Sequence, residues 1–250
     1  MRPIRLIHAA ILALGLLPGI ARAQEGAVRV LVSNGLRGAF DPARAAAQAA
    51  IGRPLAVQYG TAVELQTKIE SGQGFDAALL PRNVADALAA KGKIQDNTDI
   101  GRALVGLEIR GDAPPGAEIG TAAGIKAVLL GAKQVRYLAG GASSKTIESM
   151  IAKLGIGPAL AGRTVTDSSD LTFAPVAGPG EYELVFNLNS ELKPVNGWRP
   201  LGTVPQQFQV PVIETVGIGP GGDRSAAKAL VGFLQGPMFG QALTASGLSR

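Results

Sequence analysis

Residues 55–80 read LAVQYGTAVELQTKIESGQGFDAALL and contain one full structural period of the chain. Residues 55–59 are a short run centred on the β-branched Val57, which reads as a strand. Thr61 offers a capping oxygen, Ala62, Leu65 and Ile69 recur on one helical face through Glu70, and Ser71-Gly72 closes the turn. Residues 76–80 form the next strand. A strand, a helix and a strand on short connections make the unit of a mostly parallel sheet, because parallel neighbours need a crossover and the helix supplies it.

The same alternation extends both ways. Upstream, residues 28–32 read as a strand and residues 42–51 as a helix, with Asp41 at its cap and Pro42 at its first position. Downstream, Asn83 is placed to cap a helix through Ala90 that Gly92 stops. Residues 103–110 are extended and lead into Ala113-Pro114-Pro115-Gly116, too rich in turn formers for a helix, which marks a crossing between two lobes. A second set follows: a helix over 121–130, strand 134–138, a helix over 144–154 ended by Gly155, and strand 183–188. Residues 208–218 read as the return crossing, and 225–235 and 238–245 as C-terminal helices. The expected fold is α/β: two lobes, each a mixed, mostly parallel sheet flanked by helices, joined by two crossing strands. Lobe I takes residues 24–107 and 205–250, and lobe II takes 108–204.

Composition narrows the chemistry. The 250 residues include no cysteine and one histidine, His8. Once the N-terminal segment is removed, neither a zinc finger, a Cys/His pair, a Ser/His/Asp triad nor a histidine-ligated metal site can be built. No cofactor is expected. With 46% hydrophobic and 17% charged residues, the chain can bury a core and is not a disordered tail. Its length suits two lobes of about 100 residues each.

Residues 1–23 read as an export signal. Arg2 and Arg5 precede an apolar run over 6–17, interrupted by His8, and Ala21-Arg22-Ala23 ends it with small residues, so cleavage is expected after Ala23. The run is about a dozen residues, whereas a spanning helix needs roughly 20. Export to a bacterial periplasm is therefore expected, without a lipid anchor, since no cysteine follows the signal. Removing the segment lowers the formal charge from +5 to +2, because Arg2, Arg5 and Arg22 leave with it. The remaining basic residues are dispersed and aromatics make up only 4% of the chain, which argues against nucleic-acid binding.

Strand-to-helix junctions are the expected seat of the chemistry, because unpaired N–H groups and the helix dipole favour anions there. Three stand out: Ser33-Asn34-Gly35-Leu36-Arg37-Gly38, then Gly60-Thr61, then Gly140-Gly141-Ala142-Ser143-Ser144-Lys145. Asn34, Thr61, Ser143 and Ser144 offer neutral donors, while Arg37 and Lys145 add charge. Each also has a structural role open to it, as a cap serving its own helix or as a solvated cation. Their occurrence at matching places after strands is what points to an anion site.

From residue 28 to 248 the sequence resembles the periplasmic solute-binding proteins of the molybdate-binding type. The resemblance is carried by Tyr59-Gly60-Thr61-Ala62-Val63-Glu64-Leu65-Gln66-Thr67-Lys68-Ile69-Glu70-Ser71-Gly72, by Phe75-Asp76-Ala77-Ala78-Leu79, and by residues 229–234 and 237–247. It implies the type 2 periplasmic binding protein fold, closing over a ligand between the lobes. It also implies neutral donors for a tetrahedral oxyanion, with Asn34 and Thr61 at or near the places of the family's serines. Near Asn187 and Leu188, where the family often has a tyrosine, there is none. Residues 140–145, Asn189-Ser190-Glu191 and Gln206-Gln207 are similar to a divergent branch that includes a periplasmic aconitate isomerase, which suggests an organic carboxylate. Arg37 suits that ligand, because a guanidinium pairs bidentately with a planar carboxylate.

Two functions are expected from this. As a binding module, a monomer would hold a small anion with Asn34, Arg37, Thr61, Ser143, Ser144 and Lys145 and deliver it to the permease of an inner-membrane ABC transporter. As an enzyme, it would hold a tricarboxylate with Arg37 and Lys145 while Glu191 shifts an allylic proton. Trp198 and Tyr182 are expected to be packing residues, and residues 172–180 to form a loop at the cleft rim.

Overall fold

The apolar run Val28–Ser33 forms β1, the strand on which lobe I is built. A computed structural model describes residues 26–250 except 113, 115, 117, 169 and 170, so the expected signal segment lies outside the described residues. β1 pairs in parallel with β2 (Leu55–Gly60) on one side and β3 (Ala77–Pro81) on the other. Strands flanked in this way are covered on both faces. Val28, Val30 and Val32 join the main core, while Leu31 faces a second cluster with Leu65, Ile69, Leu80 and Leu88.

The helices of lobe I are α1 (Arg37–Ile51), α2 (Ala62–Glu70) and α3 (Arg82–Ala90). α1 starts five residues before the expected Pro42, and Asp41 lies inside the helix instead of capping it. The residue before α3 is Pro81 and no side chain caps that helix, so Asn83 does not serve as its cap. β4 (Gln95–Ala103) then reaches the sheet edge.

The chain crosses at Leu104 into β5 (Val105–Gly111) of a second sheet, so the expected boundary at 107/108 falls within a strand of lobe II. Lobe II adds α4 (Ala122–Gly131), β6 (Gln134–Arg136), α5 (Ser144–Leu154), the short α6 (Gly157–Leu160), β7 (Thr164–Val165), β8 (Tyr182–Leu188) and β9 (Arg199–Thr203). The return runs through residues 204–211 into β10 (Val212–Ile218) of the first sheet, followed by α7 (Arg224–Gln235) and α8 (Pro237–Ala245). The sheets have the orders β2-β1-β3-β10-β4 and β7-β6-β8-β5-β9. In each, four strands run in one direction, three of them paired in parallel, and the strand joining from the crossing, β10 or β5, runs against its neighbours.

The two crossings are held together by one side chain. Gln209 Nε2 donates to Val105 O at 2.8 Å and to Val204 O at 2.9 Å, and its Oε1 accepts from Val105 N at 3.0 Å. Asn189 clamps the first crossing from lobe II: its N–H donates to Leu104 O at 2.8 Å and its Oδ1 accepts from Leu104 N at 3.0 Å.

The two faces of the lobe II sheet differ. Leu107, Ile109, Leu184 and Phe186 pack on the helices in the main core. Strand alternation turns Glu108, Arg110, Glu183, Val185 and Asn187 to the other face, which is covered mainly by loops. There Trp198 packs with Leu171 and Val185, and its ring meets Phe173 edge-on with centroids 5.4 Å apart. Arg110 Nε donates to buried Glu183 at 2.7 Å, and its guanidinium lies over both rings. Tyr182 is buried on the helix side, its hydroxyl donating to Val128 O at 2.8 Å.

Candidate functional site: the cleft between the lobes

A cleft of about 960 Å³ opens between the lobes, and its lobe I wall is the junction after β1. There the backbone turns through a single 3-10 turn, Asn34–Leu36, straight into α1. Asn34, Arg37, Gly38, Asp41 and Pro42 line the cleft. Pro42 sits in the interior of α1 and has no N–H, so the Gly38 carbonyl loses its usual helical donor on the cleft side.

Arg37 is exposed and makes no ion pair among the described residues. Its guanidinium carbon instead lies 4.2 Å from the centroid of the Tyr59 ring. The Tyr59 hydroxyl donates to Asp41, and burial followed by this carboxylate raises the phenol's pKa, so the ring stays neutral beneath the cation. Stacking of this kind orders a guanidinium without consuming its N–H donors.

Thr61 caps α2 through a reciprocal pair. Its Oγ accepts from Glu64 N at 3.2 Å, and Glu64 Oε2 accepts from Thr61 N at 2.8 Å. The Thr61 hydroxyl can still donate into the cleft, but its backbone N–H is already taken by a carboxylate.

Lobe II contributes Leu138, Asn187, the turn Ser190-Glu191-Leu192-Lys193, Val195 and Asn196, with Asp167, Ser168, Leu171 and Thr172 at the rim. The turn docks directly on lobe I: Ser190 Oγ donates to Gly35 O at 2.7 Å, and Asn189 Nδ2 donates to Gly247 O. Of the carboxylates on the lining, Asp41 accepts from Tyr59, Asp167 from Arg136 and Glu64 from Thr61. Their charge is partly engaged, while Arg37 remains available.

Three more carboxyl groups gather at the cleft floor, Glu191 on the lining and Glu108 and Glu214 buried off it. Glu108 is 0% exposed; it accepts from Asn187 Nδ2 at 3.1 Å and Lys193 N at 3.0 Å, and burial raises its pKa. Glu191 accepts from Leu188 N at 3.2 Å; burial raises its pKa, Glu108 adds to the rise, and Lys193 and Arg37 oppose it. Glu214 on β10 is 0% exposed, and neither of its carboxyl oxygens has a hydrogen-bond partner among the described residues. Burial and the neighbouring Glu191 push it up to about 8.

Residues 28–249 match the family model of the bacterial extracellular solute-binding proteins. The chain belongs to that family. The fold of this solute-binding protein resembles the periplasmic molybdate-binding protein of Azotobacter vinelandii, at 13% identity and a TM-score of 0.66 over 89% of this chain and 99% of that one. It resembles Peb3 of Campylobacter jejuni at 12% identity and a TM-score of 0.62, over 89% and 99% of the two chains. The tungstate-binding protein TupA of Desulfovibrio alaskensis follows at 12% identity and 0.60, over 87% and 93%. No curated protein sequence matches the chain significantly.

Of the residues that the sequence nominates for the solute, Asn34, Arg37, Thr61 and Glu191 come together on the cleft lining. Ser143, Ser144 and Lys145 do not line it. Ser143 and Ser144 are buried, the Ser144 hydroxyl donates to Gly141 O at 2.9 Å, and Lys145 is exposed at the start of α5. Lys193 supplies the lobe II cation on the lining instead. Glu108 and Glu214 were not nominated, although each is a carboxylate inside an apolar strand, Val105-Gly106-Leu107-Glu108-Ile109 and Val212-Ile213-Glu214-Thr215-Val216. That pattern is a readable signal, since acidic side chains are rarely buried without a partner. Among the described residues no group of three or more His, Cys, Asp or Glu side chains could hold a metal ion, and no helix is long and apolar enough to cross a membrane.

Proposed function

We propose that this protein binds a small anionic solute in the interlobe cleft in the periplasm and delivers it to the permease of an inner-membrane ABC transporter. The observation that carries this reading is Arg37, a cation on the lining that is stacked on Tyr59 and makes no ion pair among the described residues. Asn34 and the Thr61 hydroxyl add neutral donors beside it. The fold likeness to a molybdate-binding and a tungstate-binding protein supports an anion, and Peb3 has been solved with L-phospholactate bound.

Within that class the reading favours an organic carboxylate. The planar fork of Arg37 matches a carboxylate, and about 960 Å³ lies within the usual range for organic-ligand pockets. A thermal-shift panel of molybdate, tungstate, sulfate, phosphate, citrate and the two aconitate isomers tests it. Ligand at 100 times its Kd stabilises by about 2.7 kcal/mol. A response to a carboxylate supports the reading, a response to molybdate or tungstate alone restricts the ligand to oxyanions, and silence across the panel sinks it.

One observation favours an isomerase reading. Glu191 faces the same cleft as Arg37, and its pKa is raised into the direction that suits proton transfer. Lys193, and not Lys145, would then be the second cation. Incubating the protein with cis-aconitate and following trans-aconitate by proton NMR tests this; interconversion that Glu191→Gln abolishes supports it, and absence of turnover ends it.

A further inference from the structure

Glu214 and Glu191 come from opposite sides of the lobe boundary and lie near enough for the charge of Glu191 to act on Glu214. Glu214 belongs to β10 of lobe I, Glu191 to the turn after β8 of lobe II, and the Gly35 turn lies over Glu214. A Cβ added at Gly35 would stand 3.5 Å from Glu214 Oε1 and 2.5 Å from Leu188 Cδ1. β10 pairs on its two sides with Pro81 and Gly101 at this position, neither of which brings charge. The ionisable group that acts on Glu214 is therefore Glu191. Glu191 in turn is reached by Glu108 from β5, Lys193 from its own turn, Arg37 from α1 and Glu214 from β10.

A carboxylate sealed from water without a donor is a costly arrangement, and a second carboxylate beside it makes it costlier. A proton removes both costs. We infer that the Glu191–Glu214 pair is a proton-binding site under the cleft whose proton is needed for tight capture of the solute anion, so that above the empty protein's titration the anion is captured together with one proton. The inference rests on the anion-capture reading of the cleft. The direction of the linkage follows from Arg37. In the empty cleft its charge draws Glu191 toward the ionised form; an anion seated on Arg37 offsets that pull with its own negative charge. The change favours protonation, and by reciprocity the protonated pair favours the anion. The proton comes from solvent, and no bond other than O–H forms.

The test has two parts. In protein carrying 13C-labelled glutamate, the side-chain carboxyl resonances are titrated without ligand in wild type, Glu214→Gln and Glu191→Gln. Affinities for citrate and for molybdate are then measured by calorimetry from pH 6 to 9, in buffers that differ in ionisation enthalpy so that proton uptake is counted. The expected result is a carboxyl that titrates well above the normal glutamate range and is absent from Glu214→Gln. With it, anion affinity falls by up to about tenfold per pH unit above the pair's titration, with proton uptake in wild type and a weaker dependence, shifted to lower pH, in Glu214→Gln. Glutamates that all titrate below pH 6, or an affinity that does not change with pH while the high carboxyl is present, would overturn the inference. If neither anion binds, the capture reading fails instead, and the ligand-free titration tells the two failures apart.

Discussion

Ser190 Oγ donates to Gly35 O at 2.7 Å, joining the turn after β8 in lobe II to the turn after β1 in lobe I. The bond lies at the cleft floor, above Glu214 and next to Asn34, so the residues that would hold the solute are positioned partly by a contact between lobes. Ser190→Ala removes the donor and leaves Gly35 O without this partner. The arrangement in which the lobes meet here should lose about 1 kcal/mol relative to one in which they part. Calorimetry should show affinity reduced by about fivefold; unchanged affinity would mean that the lobes are held without this bond.

Arg37 is held by a ring and not by a carboxylate, so its removal should separate binding from folding. Arg37→Ala should weaken anion binding by about 1.5–3 kcal/mol, the range for hydrogen bonds to charged groups. The melting temperature should stay nearly unchanged, because the side chain is exposed. Arg37→Lys should recover little, since an ammonium neither forks nor stacks as a guanidinium does. Equal losses of stability and affinity would assign Arg37 to the scaffold.

Much of this arrangement was legible in the sequence, and the rest was hidden for identifiable reasons. The period over residues 55–80 gave β2, α2 and β3, because capping, face spacing and strand character all act locally. Arg37 and Thr61 were readable as ends of such elements. Residues 143–145 satisfy the same local rule, yet of the segment between β6 and α5 only Leu138 reaches the cleft lining. Which junctions converge is decided by the packing of the lobes. Glu191 and Glu214 belong to different lobes and are brought near each other because Asn189 and Ser190 tie the lobe II turn to lobe I. Pro42 misdirects for a different reason: it is preferred at the first helical position, but here Gly38 precedes it by one turn and the helix accommodates it internally.

Glu64 competes with any anion for the Thr61 N–H, which it holds at 2.8 Å. Glu64→Ala should therefore act in opposite directions on two measurements. Stability in urea should fall by on the order of 1 kcal/mol as half of the capping pair is lost. Anion affinity should rise, because the freed N–H points from the start of α2 and a negative charge leaves the cleft wall. A fall in affinity together with stability would show that Glu64 positions the site and does not compete for it.

Glu214 should make stability depend on pH in a direction opposite to that of most carboxylates. Its pKa rises from 4.5 when exposed to about 8 in the fold, so between these values the folded chain binds a proton that the unfolded chain has released. Stability from this group is fully present below about pH 4.5 and drains away as pH rises toward 8, beyond which the loss is complete. Glu214→Gln keeps the shape of the protonated acid and cannot ionise. It should be nearly neutral at pH 4.5 and stabilising at pH 8, by on the order of 1–3 kcal/mol if burial relaxes part of the cost. Urea unfolding of both proteins at the two pH values measures this directly. A Glu214→Gln protein less stable than wild type at pH 8 would mean that the carboxylate has found a donor and stays ionised in the fold.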